Sequence, residues 1–403
     1  MLQFLLLVLL MSSATAATAQ VDSRAAEIEA ERDKKSRTLQ PDLPSRPERI
    51  FRKIEDDKIL ERITAGIAGF RIKFGGLTTG SGFAVGPEYL RQELAGGEVT
   101  FRGSARGSLK KYVLLDLELD MPRLSNDRVF LNLYAAHRNY PRMQYYGPGA
   151  DSAKSGRSNF RLEETGYEGT GGFRPIRNLK LGASAGYSQF NVGPGTDPRF
   201  VSAERVFSPV LAAGIDRQSD FLRGGFFAQY DSRDFPGGPR KGANYLVRYS
   251  LYSDRTFDVY SFRKLDIDLQ QYIPFFNERR VIALRGKTVL TDTAGGNRVP
   301  FYLQPTVGGS DDLRGFRPFR FYDDNMIVLN GEYRWETFSG LDMAVFVDGG
   351  KVFHRHADWN FRNLEGSVGA GMRFNVRNSV FMRLDVGFSH EGFQVWVKFN
   401  NVF

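Results

Sequence analysis

"YVLLDLELDMP", residues 112–122, alternates apolar and acidic side chains along much of its length. Val113, Leu115 and Leu117 fall on one parity, whereas Asp116 falls on the other. Because side chains alternate between the two faces of a β-strand, this stretch predicts a strand with one apolar and one charged face. The run is also long: ordinary strands average about 5–6 residues, whereas a tilted strand needs about 9–11 residues to cross a membrane.

Similar alternating segments continue to the end of the chain and number about 16, an even count as in single-chain bacterial barrels. The predicted strands are 65–74, 80–90, 97–107, 111–121, 127–138, 157–169, 177–190, 223–234, 242–254, 257–273, 278–291, 325–337, 340–350, 364–376, 379–389 and 393–403. A soluble β-sandwich would alternate too, but the length of the runs favours membrane-crossing strands. We therefore predict an all-β fold, a transmembrane antiparallel β-barrel, over residues 64–403.

Composition agrees with this class. The chain has no cysteine, so it carries neither a disulfide framework nor a lipoprotein anchor. Its 43 glycines and 34 phenylalanines favour a barrel, since glycine serves tight turns and aromatic residues form girdles at membrane interfaces. The net charge of +9 does not identify a partner. We expect no nucleic-acid partner for an exported chain.

The first 19 residues, "MLQFLLLVLLMSSATAATA", predict a signal peptide, because an apolar core is followed by small residues suited to cleavage. No lysine or arginine precedes the apolar core, which departs from the usual pattern. Residues 20–63 are charged and spaced by prolines, which predicts a periplasmic tail. The expected location of the barrel is the bacterial outer membrane.

One long link between predicted strands, residues 292–324, carries Arg314 in a stretch without strand or helix periodicity. In the next two strands, parity places Glu332 and Asp348 on the face that lines the lumen. An arginine carried into the lumen would bridge both carboxylates, because its rigid fork gives paired, charge-assisted hydrogen bonds. Gly315 would allow a close backbone approach. We therefore predict that this long extracellular loop folds into the lumen.

These residues also carry a resemblance. The motif Leu313, Arg314, Gly315 and Phe316 resembles the V/I-R-G-F/Y motif in the sixth extracellular loop of the BamA/TamA superfamily, the bacterial surface antigen family. The resemblance implies that Glu332 and Asp348 bind the motif arginine. It further implies that the terminal segment, with Phe399 and Phe403, is a C-terminal barrel signal. Members usually carry periplasmic POTRA domains, and residues 20–63 are too few and too charged to form one.

The resemblance implies a function as well. In that family the barrel inserts other barrel proteins or moves polypeptides through or into the outer membrane, so unfolded outer-membrane or exported proteins are the expected clients. Outer-membrane lipids and lipopolysaccharide are the expected surroundings of a monomeric barrel. A weak closure between the first and last strands would let an incoming strand pair there. Two alternatives remain open: a passive solute pore gated by the inward loop, and a structural surface antigen.

No enzymatic or metal-binding pattern stands out. The four histidines are His137, His354, His356 and His390. His354 and His356 form an "HRH" pair, but no third ligand is identifiable in the sequence, so the pair is interpreted as a solvated loop. We expect no catalytic residue, no cofactor and no metal.

Overall fold

The computed structural model describes residues 29–31, 34, 66–376, 379–399 and 403. Residues 1–53 and 54–403 form two separate units, and in the first unit residues 29–31 and 34 are helical. The predicted signal peptide and all but four residues of the predicted tail, 20–63, lie outside the described residues. No helix among the described residues is both long and apolar enough to span a membrane.

Among the described residues, sixteen strands form one sheet in which each strand pairs with the next of the sixteen along the chain, and all of these pairings are antiparallel. They are β1 (Phe70–Gly75), β2 (Ala84–Leu94), β3 (Val99–Ser108), β4 (Val113–Leu124), β5 (Val129–Tyr145), β6 (Ser158–Ile176), β7 (Leu179–Pro194), β8 (Phe221–Asp231), β9 (Gly242–Asp254), β10 (Phe262–Phe275), β11 (Arg280–Thr293), β14 (Asn325–Phe338), β15 (Leu341–Phe353), β16 (Glu365–Val376), β17 (Ser379–Ser389) and β18 (Gly392–Lys398). The two-residue strands β12 (Thr306–Val307) and β13 (Phe321–Tyr322) pair separately within the longest loop. Short 3-10 helices span Ala95–Gly97, Lys154–Gly156, Ala203–Arg205, Phe301–Leu303 and His356–Asp358. The predicted barrel of about 16 antiparallel strands is confirmed.

The two faces of the sheet differ as the alternation predicts. On β4, Leu117 is 55% exposed on the outer face, whereas its neighbour Asp116 is 3% exposed and points inward. The outer face carries further exposed apolar side chains, among them Leu133, Phe226, Leu284, Val347 and Val395. A barrel that is apolar outside and charged inside suits a hydrocarbon surrounding, because a soluble fold would bury these side chains instead.

Strands β5, β6 and β7 are longer than predicted, at 17, 19 and 16 residues. The extra residues of β5 and β7 lie at the end of the barrel where the longer loops are, whereas those of β6 lie at its short turn to β7. At the long-loop end Tyr145 packs against the loop residues Phe301 and Tyr322 in one buried aromatic cluster. The sequence did not show the extension of β5, because loops rather than lipid bury its side chains.

The last strand is shorter than predicted. β18 ends at Lys398, whereas the predicted strand runs to residue 403. Phe403 lies against Tyr272, Val281 and Ala283, in a cluster on the inner face of β10 and β11. An apolar patch on the lumen side therefore buries the ring of Phe403.

Candidate functional site

The loop between β11 and β14, residues 294–324, folds into the lumen of the barrel. Leu313, Arg314 and Phe316 in its centre are each 0% exposed. Leu313 and Phe316 pack in a cluster with inward-facing residues of the wall, including Val289 and Val328. Apolar contacts thus hold the turn that carries Arg314 against the inner wall.

The structure brings Arg314 together with Glu332 and Asp348. Its Nε and Nη2 donate to the two carboxylate oxygens of Asp348 at 3.0 and 2.8 Å, and its Nη1 donates to Glu332 at 2.5 Å. The backbone N–H of Arg314 also donates to Asp348, at 3.1 Å. The guanidinium lies 3.4 Å from the centre of the Phe346 ring. One side chain therefore ties the loop to β14 and β15 through paired, charge-assisted bonds.

Glu332 is shared by three arginines. Arg334 donates to one of its oxygens at 2.7 Å, and Arg373 of β16 donates to the other at 2.8 Å, beside the bond from Arg314. Glu332 is 2% exposed and Arg373 is 0% exposed, so these charges are withdrawn from water. Because a buried carboxylate needs paired cations, this convergence compensates the burial of Glu332.

The ionic contacts continue towards the last strands. Arg373 donates to Asp385 of β17 at 2.6 Å, and Arg383 donates to the other oxygen of Asp385 at 2.9 Å. Arg383 also donates to Asp311, a residue of the loop, at 2.6 Å. The Arg314 cluster comprises four arginines (Arg314, Arg334, Arg373 and Arg383) and four carboxylates (Asp311, Glu332, Asp348 and Asp385), so its formal charges balance. Arg383 and Asp385 have the same parity on β17, but nothing in the sequence relates them to the loop.

At Gly315 the backbone of the loop lies close to the wall. A Cβ at this position would lie 2.6 Å from the carbonyl oxygen of Phe388 and 2.7 Å from the side chain of Ser367. The carbonyl of Gly315 accepts a hydrogen bond from Ser389 at 2.9 Å. The carbonyl of Arg314 accepts one from Trp396 Nε1 of β18 at 2.7 Å. The loop is therefore hydrogen-bonded to the last strand of the barrel as well as to β14 and β15.

The first and last strands meet at a seam, defined here as the junction of β1 with β18. β1 and β18 have 6 and 7 residues, and each pairs on one side only within residues 66–376 and 379–399. The seam is bridged by side chains: the ring of Phe74 lies 5.7 Å from the rings of Phe381 and Phe399. A cleft of about 350 Å³ opens there between β1 and the strands β17 and β18. In the described part of the chain, aromatic contacts rather than a hydrogen-bonded ladder join these edges.

Phe399 and Phe403, predicted to belong to one signal, occupy different places. Phe399 packs at the seam against Phe74, Phe83 and Phe381. Phe403 lies in the lumen, as described above. Their predicted role as a C-terminal barrel signal stays a prediction.

These features define a class: an outer-membrane type of β-barrel with an arginine-bearing loop bound inside and, within the described residues, no hydrogen-bonded ladder between its first and last strands. The model of the Omp85 superfamily domain matches residues 95–391, and the chain belongs to this superfamily. The predicted resemblance to the BamA/TamA superfamily is thereby confirmed.

Two solved structures share the fold. BamA from Haemophilus ducreyi lacking POTRA domains 1–3 is similar with a TM-score of 0.61 and 17% identity, over 83% of this chain and 70% of that chain. CdiB from Escherichia coli is similar with a TM-score of 0.56 and 13% identity, over 83% of this chain and 62% of that chain. At such low identity these likenesses establish the barrel architecture alone.

Proposed function

We propose that this protein lies in the bacterial outer membrane and inserts or translocates polypeptides there, with a client strand pairing at the seam. Membership of the Omp85 superfamily supports the general class of outer-membrane protein insertion and translocation. The observation that carries the proposal is the seam itself, where β1 and β18 have no ladder between them in the described residues.

The physical reason lies in the backbone groups of the two edges. In hydrocarbon an unpaired N–H or C=O costs several kcal/mol, so an open strand edge attracts another strand. β1 and β18 are also shorter than the roughly 9–11 residues that a membrane-crossing strand needs. An incoming extended segment would satisfy both edges by adding a strand.

The bound loop supports a link between the Arg314 cluster and the seam. Trp396, on β18, donates its indole N–H to the carbonyl of Arg314, and Lys398 lies 3.9 Å from Asp311 of the same loop. The loop thus holds the inner face of the last strand. In the proposal, this contact keeps β18 in position while its free edge engages a client.

The proposed surroundings of the barrel follow from its apolar outer face. The exposed apolar outer face supports contact with outer-membrane lipids, including lipopolysaccharide, and unfolded outer-membrane or exported proteins are the proposed clients. We propose a monomeric barrel without enzymatic activity. A passive pore gains no support, because a packed aromatic cluster lies among the longer loops at one end of the barrel. No observation on the described residues favours a structural antigen.

The test exploits the lack of cysteine in the chain. A Phe74→Cys/Phe399→Cys variant, reconstituted in liposomes, is closed with a short bis-methanethiosulfonate, which forms a reducible disulfide with each thiol and releases methanesulfinate. An unfolded barrel client is then added, and its folded fraction is measured from its mobility on a semi-native gel. We expect the closed seam to block client insertion and a reductant to restore it.

A matched control cross-links strands that are already paired. Phe226 and Tyr249 are direct partners of β8 and β9 on the outer face. The Phe226→Cys/Tyr249→Cys variant should insert clients equally well with and without the reagent. Equal insertion by the closed and open forms of the seam variant would contradict the proposal.

A further inference from the structure

A histidine and two aspartates meet where the long loop rejoins the barrel. Asn325 pairs with Phe353 at the end of the β14–β15 ladder. In an antiparallel pair the next residues outward also face each other, so Asp324 comes opposite His354. His354 Nδ1 lies 2.9 Å from a carboxylate oxygen of Asp324 and 3.6 Å from one of Asp323. One ligand atom from each side chain falls within 4.8 Å of the other two.

The backbone that carries these side chains is held firmly. Asn325 donates from Nδ2 to the carbonyls of Phe353 and His354, at 3.1 and 2.8 Å. Its Oδ1 accepts from the backbone N–H of Thr291 at 2.8 Å. One asparagine therefore fixes three strands where the three groups converge, so their spacing is set by the barrel ladder and not by a free loop.

The negative charge here is incompletely balanced. Asp323 is 8% exposed, and within the described residues the ion pairs of Asp323 and Asp324 run to His354 alone. Two carboxylates thus face one imidazole, which carries at most one positive charge. A cation at this point would balance the second carboxylate.

A fourth polar group points to the same conclusion. Gln304 donates from Nε2 to the other oxygen of Asp324 at 2.9 Å. Its amide oxygen is buried and has no hydrogen-bond partner among the described residues. A buried acceptor without a partner is unfavourable. The polar groups beside Asp324 are therefore incompletely satisfied among the described residues.

We propose that His354, Asp323 and Asp324 bind one divalent transition-metal ion, with Zn²⁺ as the representative. Tetrahedral Zn²⁺ with bonds of about 2.0–2.1 Å sets its ligand atoms about 3.3 Å apart, and the two distances at His354, 2.9 and 3.6 Å, bracket that value. The side chain of His354 is 75% exposed, so an ion reaches the site from solvent. The ion cross-links the end of loop 294–324 to the start of loop 354–364.

The other histidines provide controls within the same chain. His356, the second member of the "HRH" pair, donates instead to the backbone carbonyl of Thr291 at 2.8 Å. His390 faces a single carboxylate, Glu365, at 3.3 Å. The chain has four histidines and no cysteine, so single substitutions distinguish the proposed site from other imidazoles.

The experiment is Zn²⁺ titration by calorimetry of the full chain in detergent, purified without a histidine tag and stripped with EDTA. We expect one ion per chain, and affinity at least about tenfold weaker in His354→Ala and in Asp324→Asn. His356→Ala and His390→Ala should match the wild type. No binding, or equal binding by wild type and His354→Ala, would overturn the proposal.

A second measurement separates ligation from a folding defect. Zn²⁺ should raise the unfolding temperature of the wild type and of His356→Ala, and leave that of His354→Ala unchanged. Ca²⁺ serves as the contrasting ion, since it prefers oxygen ligands. Ca²⁺ binding as tight as that of Zn²⁺, and unaffected by His354→Ala, would overturn the assignment to a transition metal.

Discussion

Replacing Arg314 with methionine removes the cation that joins the loop to the wall while keeping an unbranched apolar side chain. Asp348 loses the paired bonds from Nε and Nη2 and retains Asn330 at 2.9 Å, Ser367 at 3.3 Å and the backbone N–H of residue 314. Glu332 loses one arginine of three. The uncompensated charge therefore falls mainly on Asp348, which is 1% exposed.

The expected cost follows from that stranded carboxylate. Removing one partner of a buried ion pair costs about 3–5 kcal/mol, a large share of the roughly 5–15 kcal/mol that stabilises a folded protein. A second change, Asp348→Asn, removes the stranded charge. The double variant should therefore be less destabilised than the sum of the single variants, by about 1–3 kcal/mol.

The assay is urea unfolding in lipid vesicles, read from mobility on semi-native gels, together with trypsin digestion of the folded barrel. Arg320, 3% exposed in the same loop, should become cleavable in Arg314→Met because the loop leaves the wall. Arg123→Met, which removes an exposed pair with Asp127 near the turn between β4 and β5, should leave the unfolding midpoint unchanged. An unchanged midpoint in Arg314→Met, with no new cleavage, would refute the reasoning.

Three further outcomes are expected. Gly315→Ala should expose the loop to trypsin as Arg314→Met does, because the added Cβ would lie 2.6 Å from a carbonyl oxygen of β17. A loop that stays fully protected from trypsin in this variant would contradict the close approach. Trp396→Phe should lower the free energy of unfolding by about 1 kcal/mol, because the hydrogen bond to the Arg314 carbonyl is lost. An unchanged midpoint of urea unfolding would count against that bond. Arg199 holds the pKa of the Asp197 carboxyl at about 2. A lowered carboxyl pKa stabilises above the ordinary value near 4 and ceases to do so as the pH falls through about 2. Opening of loop 195–220, measured by amide hydrogen exchange corrected for the intrinsic pH dependence, should therefore be constant from pH 6 to 4 and rise near pH 2. A rise already between pH 6 and 5 would contradict this assignment.

The strands were predictable because lipid and lumen impose opposite requirements on alternate residues. β9 and β17 have the predicted bounds, and the inward placement of Glu332 and Asp348 follows from parity alone. Arg314 stood out because a buried loop arginine needs carboxylates, and two lay on the inner face of the following strands. Local periodicity is therefore enough to predict a strand and its inward face wherever the other face meets lipid.

The remaining features depend on contacts between distant parts of the chain. The pairing of Arg373 with Glu332 joins residues 41 apart, and parity gives their face but not their contact. Phe403 lies in the lumen because an apolar patch of β10 and β11 exists there, which the last strand cannot reveal. His354 meets Asp324 through the register of β14 and β15, which sequence spacing leaves open.

The most direct measurement of the central claim is photocrosslinking from the edge of β1 to a client during insertion. A photoreactive phenylalanine analogue at Ile72, 53% exposed beside the seam, is compared with one at Leu117, 55% exposed in the middle of the wall. We predict a client adduct from position 72 and none from position 117. Equal adducts from both positions, or none from position 72 while the client inserts, would contradict entry at the seam.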